Sequence, residues 1–66
     1  MLEEDHPDLA QSYNNIGIIY TNLNEWAKAQ DYLKVALRIY EIKLPPNHPH
    51  LCTCRSNYEY VCTMLG

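Results

Sequence analysis

Sliding the chain along itself by 42 residues superposes His6-Pro7 on His48-Pro49, and Leu2, Leu9, Asn15, Thr21 and Leu23 on Leu44, Leu51, Asn57, Thr63 and Leu65. That is seven identities in the overlap of residues 1–24 with 43–66, whereas unrelated stretches of average composition give about one or two. A 66-residue chain with this offset holds one complete unit and a little over half of the next. Such units stack because none of them buries its apolar face alone.

Each unit opens on proline. Asp5-His6-Pro7 and Leu44-Pro45-Pro46-Asn47-His48-Pro49 forbid helix continuation, while Pro7 and Pro49 suit a first helical position. Beyond Pro7, Leu9, Tyr13, Ile16, Tyr20 and Leu23 recur at steps of three and four, which predicts an amphipathic helix over about 8–23. Asn24 interrupts it, being a residue that tolerates a left-handed conformation. Gly66 is its counterpart one period on.

A second helix is expected over about 25–43, with two apolar stripes. One carries Trp26, Ala29, Leu33, Ala36 or Leu37, and Tyr40; the other carries Tyr32, Val35, Ile39 and Ile42. A helix apolar on two sides should be sandwiched between its neighbours. After the proline-rich loop at 44–49, a third helix over about 50–65 carries Leu51, Cys54, Tyr58, Val61 and Leu65. Short connections make sequential helices antiparallel, so the fold class is all-α, three antiparallel-packed helices of an α-solenoid.

These residues resemble the tetratricopeptide repeat family, in particular the 42-residue variant of kinesin light chains. The resemblance is carried by His6 to Tyr20 as first helix, by Trp26, Ala29, Leu33 and Ala36 in the second, and by the Leu44 to Pro49 linker. It implies a right-handed solenoid segment of about one and a half repeats. Gly17 and Ala29 are small where two helices cross, with Tyr13, Ile16, Tyr20, Trp26 and Leu33 filling the space around them. In the second unit Arg55, Glu59 and Cys62 replace Tyr13, Gly17 and Tyr20, which suits a terminal repeat tolerant of solvent.

The family's stacking implies that first-type helices line a concave surface that binds an extended peptide. The candidate contacts are Gln11, Asn14, Asn15, Ile18 and Asn22 from the first helix, with Thr53, Ser56, Asn57 and Tyr60 from the third. Thr21, Thr63 and Met64 stand beside them. Asn15 and Asn57 recur at the repeat period, and an amide can donate to and accept from a peptide group whatever the partner's side chains. These positions hold no Lys or Arg, so acidic cargo is disfavoured. The expectation is a non-catalytic scaffold module for a protein or peptide partner of unknown identity. The alternative is a self-associating element, or a fragment of a longer array, in which the outer side of the first or third helix meets another copy and Tyr58 and Val61 hold the contact.

Other classes find little support. Five Lys+Arg against eight Asp+Glu give −3, without the basic cluster of a nucleic-acid binder. No apolar run approaches the roughly 20 residues of a membrane span, and Met1-Leu2-Glu3-Glu4-Asp5 is not a secretory leader, so the cytoplasm is the expected compartment. Cys52, Cys54 and Cys62 read as reduced thiols. Cys52 and Cys54 diverge by about 200° around a helix, which argues against a metal site with His48 and His50. Ser12, Ser56 and the carboxylates of Glu3, Glu4, Asp5 and Asp8 form no catalytic set. Neither enzymatic activity nor a cofactor is expected.

Overall fold

The computed structural model describes residues 7–66; the acidic run at Glu3, Glu4 and Asp5, and His6, lie outside them. Three helices follow in order: α1 over Pro7–Asn22, α2 over Trp26–Lys43 and α3 over Pro49–Leu65. The prolines stand at the start of α1 and α3, each one residue before the start expected from the hydrophobic pattern. Asn24 adopts φ 60°, and the turn closes with the Glu25 amide donating to the Tyr20 carbonyl at 2.8 Å. Gly66 does not share that conformation, since no glycine has positive φ. Its amide simply extends the helical ladder by donating to the Cys62 carbonyl at 2.9 Å.

Both α1 and α3 run antiparallel to α2 and meet each other at few places. At one end Ala36, Ile39 and Tyr40 of α2 pack with Ala10, Leu51 and Cys54; at the other, Ala29 and Leu33 pack with Val61, beneath Tyr20, Trp26 and Tyr58. Two apolar clusters therefore pin the ends of one central rod.

The Ala29, Leu33, Ala36, Tyr40 stripe serves both neighbours at once. This corrects the expectation that α2 is sandwiched by two separate stripes. On the second, Ile39 is buried and Tyr32 stacks between Tyr13 and Tyr20 at centroid distances of 5.9 and 5.5 Å, but Val35 and Ile42 are exposed. The reason is geometric: α1 and α3 flank the first stripe and reach Tyr32 and Ile39 of the second, and among the described residues none covers Val35 and Ile42. Leu23 and Leu65, expected on apolar faces, are also exposed because they overhang the helix ends. Val61 is fully buried and Tyr58 packs against it, so they hold α3 to α2 and are not an external contact.

At Gly17, α1 comes close against α2. A Cβ built there would stand 2.6 Å from Leu33 Cγ, 2.8 Å from Leu33 Cδ2 and 3.4 Å from the Ala29 carbonyl oxygen. Leu33 thus occupies the volume any other residue at 17 would claim. Gly17→Val is expected to lower stability by about 1–3 kcal/mol through overpacking, measured by denaturant unfolding followed by circular dichroism; unchanged stability would show that α1 and α2 do not dock at this contact.

Candidate functional site

The nine candidate contact residues sit on two helices anchored by different faces. Toward α2, α1 turns Ala10, Tyr13 and Gly17, whereas α3 turns Leu51, Cys54 and Val61. These are not period equivalents. Each helix needs only one face to dock, and the residues left over include the candidates. Gln11, Asn15, Asn22, Thr53, Ser56 and Tyr60 are exposed; Asn14, Ile18 and Asn57 are half-buried. The equivalent pairs Gln11/Thr53, Asn14/Ser56, Asn15/Asn57 and Ile18/Tyr60 occupy matching positions along parallel helices.

The amides of this set are uncommitted. Among the described residues no hydrogen bond from Gln11, Asn14, Asn15, Asn22 or Asn57 side chains is spent inside the chain. Asn14 Oδ1 is buried and has no partner, a condition that costs about 1–3 kcal/mol for a polar atom. Beside this set, Thr21 and Thr63 return their hydroxyls to their own helices, donating to the Gly17 and Glu59 carbonyls at 2.8 and 3.0 Å. Tyr60 meets Trp26 edge to face with centroids 6.0 Å apart. Trp26 borders the candidate face at the start of α2, a role its apolar periodicity did not reveal because the same periodicity places it in the core.

The histidine and cysteine segment is used structurally. His48 precedes α3, and its Nδ1 accepts from the His50 amide at 3.1 Å. The His50 ring stacks on His48 and on Tyr40, with centroids 5.1 and 6.2 Å away. Cys52 points to solvent, while Cys54 is buried and donates its S–H to the Leu33 carbonyl at 3.7 Å. Cys62 accepts from Gln30 Nε2 at 3.3 Å. Among the described residues no group of three His, Cys, Asp or Glu side chains is gathered for a metal ion.

Burial, and then the Glu41 carboxylate, push the Cys54 thiol from 9.0 up to about 11. The Tyr40 hydroxyl is raised as well, by burial first and by Cys54 second. Both groups fold in their neutral forms and are released by unfolding to ionise at ordinary values. The Cys54 contribution to stability is therefore complete at neutral pH and is lost as the pH rises from 9.0 through about 11, and that of Tyr40 is lost at alkaline pH above 10.0. Iodoacetamide at pH 8 should modify Cys52 at once and Cys54 only at the rate of global opening, read by mass spectrometry. Equal rates at Cys52 and Cys54 would contradict the burial of Cys54.

The tetratricopeptide repeat profile matches residues 9–50, 42 of the chain's 66 residues. The chain belongs to the tetratricopeptide repeat family, whose members generally mediate protein–protein interaction and are generally non-catalytic. No curated protein and no solved structure matches it significantly. No described helix is long and apolar enough to cross a membrane.

Proposed function

We propose that the chain is a non-catalytic scaffold segment that binds an extended peptide across α1 and α3, through Gln11, Asn14, Asn15, Ile18, Asn22, Thr53, Ser56, Asn57 and Tyr60. The observation that carries this reading is the row of uncommitted side-chain amides. Backbone amides of an extended peptide supply the donors and acceptors such a row lacks. Because none of the nine carries a charge, recognition is by hydrogen bonding, with Ile18 and the exposed Tyr60 ring giving the apolar contacts. The kinesin light chain-like affiliation rests on the 42-residue period. A cytoplasmic location suits the free thiols of Cys52, Cys54 and Cys62.

A panel of uncharged extended peptides, titrated by fluorescence polarisation, tests the reading. The pair Asn15→Ala and Asn57→Ala should weaken binding by roughly tenfold or more, since each lost hydrogen bond contributes about 0.5–1.5 kcal/mol, with helicity unchanged. Binding should also vary little with salt, because no ion pair is formed. Undiminished affinity in the double variant, or no binding across the panel, would overturn the proposal.

A further inference from the structure

Ile19, Leu23, Val35 and Ile42 are the large apolar side chains left open on the α1–α2 hairpin, at 57, 63, 41 and 62% exposure. Val35 and Ile42 share one stripe of α2 with Asp31 and Arg38, at steps of four, three and four residues. All four are exposed. Turning around α2 away from Ala29 and Leu33, Tyr32 and then Lys28 come before this stripe; turning around α1 away from Gly17, Tyr20 comes before Leu23 and Ile19. Tyr20 stacks on Tyr32 at 5.5 Å and lies 5.6 Å from the Lys28 ammonium. Both turns therefore leave the seam on the same side, and the four apolar residues make one face.

We propose that this face joins two copies of the chain in an isologous dimer, α2 packed antiparallel on α2 about a two-fold axis between Lys34 and Val35. That operation sets Asp31 against the partner's Arg38, and Arg38 against the partner's Asp31. Val35 meets the partner's Val35 near the axis. Ile42 falls opposite the partner's Ala27, beside the partner's Leu23 and Ile19, because the α1–α2 turn brings the end of α1 to the start of α2. Asp31 and Arg38 each meet the opposite charge, whereas parallel packing in register sets Asp31 on Asp31 and Arg38 on Arg38, which repel. The ion pair seen among the described residues is Arg55–Glu41, at 3.4 Å, so Asp31 and Arg38 are unspent within the chain.

Sedimentation equilibrium on the 66-residue chain, from about 10 μM to about 1 mM, tests the proposal, with circular dichroism confirming that each variant keeps its helices. The wild type should show a monomer–dimer equilibrium. Asp31→Arg alone and Arg38→Asp alone should each weaken it by at least about tenfold, since each sets like charges together at both ends of the contact. An equimolar mixture of the two variants should dimerise again, because both contacts then become Arg on Asp; the chain carrying both changes should do so by itself. A wild type that stays monomeric throughout would overturn the proposal and leave the face to another protein or to a further 42-residue unit. So would a dimer indifferent to either reversal, or a mixture that fails to recover.

Discussion

Leu33 is the side chain through which both neighbours reach α2. Its isobutyl group fills the space that a Cβ at Gly17 would take, it packs with Val61, and its own carbonyl accepts the Cys54 thiol. The hairpin of α1 on α2 and the docking of α3 are thus joined at this residue, as they are again in the cluster of Ala10, Ala36, Ile39, Tyr40, Leu51 and Cys54. Close contact at Gly17 brings α1 in so far that Tyr13 and Tyr20 clasp Tyr32 between them. Burial of Leu33 against Val61 then fixes the level of α3, which brings His50 to Tyr40 at one end and Tyr60 to Trp26 at the other.

The geometry that follows separates structural from available residues. α1 and α3 dock by one face each, so the tyrosines, small residues and buried thiol hold the fold, while among the described residues the side-chain amides of Gln11, Asn14, Asn15, Asn22 and Asn57 have no partners. Interaction with other molecules then falls to surfaces the fold leaves open. One is polar and uncharged, across α1 and α3. The other is apolar with charges of both signs and lies on the far side of the α1–α2 seam. The two surfaces sit on different sides of α1.

Much of the fold was legible in the sequence because two strong signals agreed. The 42-residue period and the prolines marked where units begin, and the helix ends fall within a residue of the expected positions. Gly17 and Leu33 were readable as a small and a large residue at a crossing. The burial of α2's second stripe was not, because periodicity reports that Val35 and Ile42 are apolar without reporting how many neighbours are present to cover them. The docking face of α3 was legible, since Leu51, Cys54, Tyr58 and Val61 read as its apolar side and are the residues that meet α2. Glu59 stands at the period position of Gly17 yet is exposed, since α3 meets α2 through a face that in α1 corresponds to Leu9, Ser12, Ile16 and Ile19. Arg55 finds Glu41 fourteen residues back, a pairing the helical pattern alone did not show. The candidate face could be drawn from the helical wheel, but the buried, unpartnered oxygen of Asn14 required coordinates.

The most direct measurement of the central claim is a methyl-resolved NMR nuclear Overhauser experiment on Leu33. The account predicts cross-peaks from the Leu33 methyl groups both to the Gly17 α-protons and to the Val61 methyls in the same sample. Helices that persist while either set is missing would contradict it, because one of the two neighbours would then not be seated on this side chain.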